Sequence, residues 1–263
     1  MAPRRTLIRI ALSAVVLVAC HDISTDPADA LSVRLESAHY IYFHAPGDEV
    51  DTTTEEHYHA WLLERLPIAP TEKLEYRKYR SRAHLRAVTG RNTNGFAEPG
   101  TTRFHSIWPW ENHENVHALV TRYLGHPPAL FNEGLAVAHQ GVPEAGDFVP
   151  KWNGASLSSA ANDRRRAGQL PSLDDVIDSP GFFGHPEDVM YPVAGAFVQR
   201  LLLLHGWTPM KTYLANSAFD DRASETRAAF LAAYGITLDA AWAEWSVSLG
   251  AVTAPDAATR APR

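Results

Sequence analysis

His113-Glu114-Asn115-Val116-His117 is an H-E-x-x-H run, a spacing that suits metal-assisted hydrolysis. On an α-helix, four residues turn about 400° round the axis, so His113 and His117 project from nearly the same side and can share one divalent ion. Glu114 stands one step further round, beside the ion instead of on it. From there its carboxylate can take a proton from a water that the ion activates. Two imidazoles and a carboxylate on a helix packed into a core are costly to desolvate unless a cation satisfies them.

A zinc site that performs chemistry uses three protein ligands and leaves a fourth position open. The metzincin continuation needs a glycine at position 120 and a histidine at 123; the chain has Val120 and Tyr123, which excludes it. Downstream, Glu133 stands in Phe131-Asn132-Glu133-Gly134-Leu135-Ala136, on a second expected helix that follows Pro127-Pro128. A short connection makes the two helices an antiparallel pair, which can bring Glu133 against the histidine face and complete a His-His-Glu set. Gly134 weakens that helix but permits close approach of a neighbour.

The elements that must hold these residues read as an α+β arrangement, strands first and helices afterwards. Leu31 to His44 alternates as one strand or paired strands, and Pro46-Gly47-Asp48 is a turn. Thr52 to Glu55 caps a helix carrying Tyr58, Trp61, Leu62 and Leu66 up to Pro67. Leu74 to Val88 reads as strand, 90–100 as loop and 101–107 as a further strand. Helices are expected near 110–124, 128–140, 155–167, 190–205, 208–216, 222–234 and 237–248. The expectation is one catalytic domain over 31–250, with a β-rich part with a small sheet at 31–109 and a mainly helical part at 110–250. A tail rich in Ala, Pro and Thr, expected to lack order, follows at 251–263.

With those helices in place, H-E-x-x-H followed by N-E-G-L-A resembles the gluzincin zinc metallopeptidases, and most of all the bacterial peptidase MA-like domains. The segment Tyr191-Pro192-Val193-Ala194-Gly195-Ala196-Phe197-Val198, running on to Leu204-His205-Gly206-Trp207, is also similar to that family. The likeness covers about residues 95 to 215. It implies a zincin-like fold, one zinc ion held by His113, His117 and Glu133, Glu114 as general base, and a peptide or protein substrate. It also makes Tyr191 a candidate donor to a developing oxyanion, a role His185 could fill instead. Phe131 stands where the family segment has tryptophan. Val137 stands where several gluzincins carry an acid that orients a histidine, leaving some other group, such as Asn132 or a backbone carbonyl, to do so.

The N-terminus reads as a targeting segment. Met1 to Ala19 has a basic start, an apolar run too short to span a bilayer comfortably, and small residues before a change of character. Leu17-Val18-Ala19-Cys20 resembles the lipobox of bacterial lipoproteins, which implies acylation of Cys20 and a cell-envelope location, with 20–30 as a polar tether. Cys20 is the only cysteine, so no intrachain disulfide staples the fold. The net charge of −6, more acidic still without Arg4, Arg5 and Arg9, argues against nucleic acid as a partner. His57 and His59 read as surface histidines, Arg164-Arg165-Arg166 as a solvated face, and Trp108 and Trp110 as groove lining or core packing. Residues 96–104 read as a possible edge strand for an extended peptide. Two rivals stand beside the peptidase: a non-catalytic lipoprotein that keeps the fold for binding, and a zinc hydrolase of a non-peptide substrate.

Overall fold

A computed structural model describes residues 31–250; the expected signal segment, Cys20, the tether and the tail lie outside the described residues. The first half runs β1 (Val33–Glu36), β2 (Tyr40–His44), α1 (Thr52–Leu63), β3 (Leu74–Lys78), α2 (Arg82–Thr89), β4 (Gly95–Ala97) and β5 (Arg103–Ser106). These strands form one five-stranded sheet in the order β1-β2-β3-β5-β4. The central strands β2, β3 and β5 are parallel, and the two edges are antiparallel to their neighbours.

The second half is mainly helical. It runs α3 (His113–Tyr123), α4 (Ala129–His139), a small sheet of β6 (Gly141–Glu144), β7 (Asp147–Trp152) and β8 (Ala155–Ser156), then α5 (Leu157–Arg166), α6 (Leu173–Val176) and α7 (Ser179–Phe183). The chain continues through α8 (Glu187–His205), α9 (Trp207–Ala215), α10 (Ala223–Tyr234) and α11 (Leu238–Leu249). The architecture is mixed α and β, compatible with the expected α+β class.

One sheet face presents Tyr40, Tyr42, Tyr76 and Phe104, all fully buried. Alternation puts these side chains on the same side of the pleat, where their rings stack across the strands, Tyr76 on Phe104 at 4.7 Å. Helices α1 and α3 reach this face through Tyr40, whose hydroxyl lies 3.2 Å from His59 Nδ1 and 2.6 Å from Asn115 Nδ2. Every residue of α4 is buried. Its longest contact is with α8, and glycine makes that contact possible: a Cβ at Gly134 would stand 2.5 Å from Val198 Cγ2 and 2.9 Å from Ala194 O. On the other side of the same seam, Gly195 faces Val137.

Several expectations need correction. Only Leu74–Lys78 of the stretch 74–88 is strand. Arg82–Thr89 is helix because Ser81 Oγ accepts from His84 N, Arg82 and Arg86 share a face one turn apart, and Gly90 ends the helix at φ +78°. The expected loop 90–100 contains β4, and residues 96–104 are not one strand but the two arms of a hairpin into β5. The expected α1 and the unexpected α2 both lie between strands, which is what allows the parallel pairs. The β6–β8 sheet and the short α6 and α7 were not expected, and Ala155 and Ser156 are strand, with the helix starting at Leu157. His59 is buried, 2% exposed and stacked on His39, because the helix face that carries Tyr58 and Leu62 turns it inward. His57 is exposed, as expected.

Two predictions follow from this packing. Gly134→Ala should force α4 and α8 apart and lower stability by about 1–3 kcal/mol in urea unfolding. Burial pushes the His59 and His139 imidazoles down to about 4. An unfolded chain therefore binds more protons than the folded one between about pH 6.5 and 4, and the stability present above 6.5 is lost as pH falls through that window. Urea midpoints measured from pH 7 to 4 should decline, and the decline should be smaller in His139→Gln.

Candidate metal centre

The turn that starts α3 is held from three sides. Glu111 caps it: Oε1 accepts from His113 N at 2.9 Å, while Oε2 accepts from Ser106 Oγ at 2.6 Å, at the end of β5. The Glu111 amide in turn donates to Glu55 Oε2 at 2.8 Å, from α1. Glu55 is fully buried, and burial pushes its carboxyl well above the ordinary range, while it also accepts from Asn115 Nδ2 at 2.9 Å. The Tyr58 hydroxyl lies 2.8 Å from Asn112 O and 2.7 Å from His139 O, and Asn112 Nδ2 donates to Gly141 O. The start of α3 is thereby tied to the end of α4. Sequence reasoning missed Glu55, Glu111 and Asn115; the sole signal was an acid two residues before a histidine.

Gly125, Pro127 and Pro128 turn the chain between α3 and α4, so the helices run antiparallel and Glu133 faces the histidines. His113 Nε2 and His117 Nε2 are 3.0 Å apart, and each is 3.2 Å from Glu133 Oε2. These three atoms form a group that could hold a metal ion. Zinc with bonds of about 2.0–2.1 Å spaces tetrahedral ligands about 3.3 Å apart, so the observed spacings fit one face of such a tetrahedron. The charges agree. Burial opposes charge on His113, yet its contact with Glu133 and the negative charges of Glu114 and Glu133 push its pKa up to about 9. Burial would raise Glu133, but the two imidazoles hold its carboxyl well below the usual range. A metal ion would have to displace the His113 proton, since only the neutral imidazole offers a lone pair to it.

His113 Nδ1 donates to Gln140 Oε1 at 2.7 Å, which turns its Nε2 toward His117 Nε2 and Glu133 Oε2. Gln140 is the group that takes the place of the absent acid at position 137: it follows the last turn of α4, two turns beyond Glu133, whereas the Asn132 Oδ1 is buried with no partner among the described residues. Val137 packs against Gly195 instead. His117 Nδ1 is also buried without a partner among the described residues.

Glu114 lies against β4, where the absent Cβ of Gly95 makes room: a methyl there would be 2.9 Å from Glu114 Cγ and 3.2 Å from Oε1. Burial raises the Glu114 carboxyl to about 7 despite the nearby imidazoles. The Tyr191 ring stacks on His113, centroids 5.6 Å apart and 18° between planes, and burial followed by the Glu133 charge keeps its phenol protonated. No hydrogen bond or ring contact joins His185 to the group among the described residues; its amide donates to Phe182 O. Trp152, from the unexpected β7, packs edge-on against Tyr191 at 5.6 Å, and His126 stacks on Phe219 at 4.6 Å. Trp110 is a packing residue, against Tyr58 and Phe148, whereas Trp108 is half exposed. Arg164 of the expected solvated run pairs with Asp188 at 3.2 Å.

No family model matches the chain, and no curated protein matches it.

Removing the Gln140 contact should loosen the cluster. Gln140→Ala should weaken zinc binding by roughly 10–100-fold, and Gln140→Glu should restore it, in competition titrations against a chromophoric chelator.

Proposed function

We propose that the chain is a zinc-dependent metallopeptidase of gluzincin type with a zincin-like fold, held at a bacterial envelope membrane through an acylated Cys20. The observation that carries the reading is the meeting of His113 Nε2, His117 Nε2 and Glu133 Oε2 within 3.2 Å of one another, with Glu114 alongside. These three residues would hold the ion. Bound zinc supplies a Lewis acid that polarises a carbonyl and lowers the pKa of water toward neutrality.

The chain's own residues do the rest. Glu114, its proton affinity raised by burial, takes a proton from the attacking water and returns it to the leaving amine. Tyr191, kept protonated beside His113, donates a hydrogen bond to the oxyanion. A peptide substrate is favoured by β4: it pairs only with β5 among the described residues, and its Gly95 touches Glu114. An extended peptide can add to that free edge as a further strand and bring a scissile bond over the base.

Metal analysis of the purified chain should find about one zinc per molecule, lost in a His113→Ala/His117→Ala variant. Glu114→Gln should keep the metal while peptide cleavage falls roughly 10²–10⁴-fold. Full activity in that variant would remove Glu114 as the base.

A further inference from the structure

We propose that the arginine face of α2 docks on anionic lipid, fixing the orientation of the domain on the membrane; this rests on the Cys20 anchor of the reading above. In this acidic chain of net charge −6, residues 77–91 contain Arg77, Lys78, Arg80, Arg82, Arg86 and Arg91 and no Asp or Glu. Arg77 pairs with Glu75 and Lys78 with Asp48. The other four are exposed, and none has a carboxylate within ion-pair distance among the described residues. Their contacts are neutral and leave the charge free: Arg80 donates to Pro46 O at 2.7 Å, Arg82 to Asn92 O at 2.6 Å, and Arg91 lies over the Phe96 ring at 4.2 Å. Arg82 and Arg86, one helical turn apart, present one face together with exposed Ala83 and Ala87. Such a face offers two cations and small side chains, with Arg80 and Arg91 flanking the helix in sequence.

The topology places this face where the chain enters the domain. Val33 pairs with His44, and His44 with Lys78, so the start of β1 and the exit of β3 toward α2 share one end of the sheet, about 10 Å apart. Arg80 is bonded to the turn that follows β2 at that same end. Only residues 21–32 separate Cys20 from Val33, a reach of at most roughly 45 Å. An acyl chain on Cys20 thus keeps α2 near headgroups at high effective concentration, and each arginine at an anionic surface multiplies the docked fraction about fivefold. The row of strand ends continues through Ser106 to Gly95, which touches Glu114. Docking through α2 therefore sets the height of Glu114 and the neighbouring histidines above the bilayer.

The acylated full chain, reconstituted into vesicles, tests this. With the Cys20 thiol consumed by acylation, Ala83→Cys supplies a single attachment point for an environment-sensitive dye. Lipids brominated near the headgroup should quench the dye in vesicles containing phosphatidylglycerol and not in pure phosphatidylcholine. Arg82→Gln/Arg86→Gln should reduce the docked-to-free ratio roughly 30-fold, and raised salt should do likewise. Equal dye exposure in both vesicle types, or no change in the double variant, overturns the docking while leaving anchor and peptidase standing. An intact mass without acyl groups at Cys20 overturns the anchor and this proposal together. Peptide cleavage, measured separately in detergent, reports on the zinc reading alone.

Discussion

Three atoms from two helices must meet within about one bond's reach of a common point, in a place with little water to screen them. His113, His117 and Glu133 satisfy that constraint, and much of the surrounding structure is explained by it. A carboxylate that faces two imidazoles inside a core is tolerable because a protonated imidazole offsets its charge, and a divalent ion would take over that role from the proton. The same closeness means that a small shift of either helix would spread the ligand atoms beyond the range that one ion can bridge.

The position of α3 is set from behind. Ser106 ends β5 and holds Glu111; Glu111 caps the first turn of the helix; Glu55 from α1 holds the Glu111 amide and Asn115. Three of these links are buried hydrogen bonds whose loss would leave a polar group without water, and the Glu111–His113 link is partly buried, so the set acts as a stop against sliding or rotation. The sheet contributes through Tyr40, which reaches both α1 and α3. The position of α4 is set from the other side by shape, where two glycines let α4 and α8 lie backbone to side chain. One helix is thus positioned mainly by polar contacts and the other by packing, with Gln140 and Tyr58 linking them at the open end of the pair.

How far the chain could be read from its sequence varied with the range of the interaction. H-E-x-x-H sets its own geometry through helical periodicity, and the Pro-Pro turn makes the next helix antiparallel, so the side on which Glu133 falls was legible. The run from Leu74 to Val88 was not, because alternating basic residues look the same on a strand and on a short exposed helix; the Ser81 and Gly90 caps decide it. The hairpin through Trp152 was missed because its strands are short and its turns are made by Ala145, Gly146, Asn153 and Gly154 at positive φ, a signal weaker than any apolar stripe.

By itself, then, the sequence determined the types and spacing of the clustered histidines and glutamates and the mixed α and β composition, since each follows from contacts a few residues apart. Only the tertiary structure decided that Gln140 orients His113, that Gly95 makes room for Glu114, and that His59 is buried. It also decided that the arginines of α2 lie at the same end of the sheet as the entry of the chain. Those outcomes depend on strand order and helix packing between residues far apart along the chain, which local periodicity does not encode.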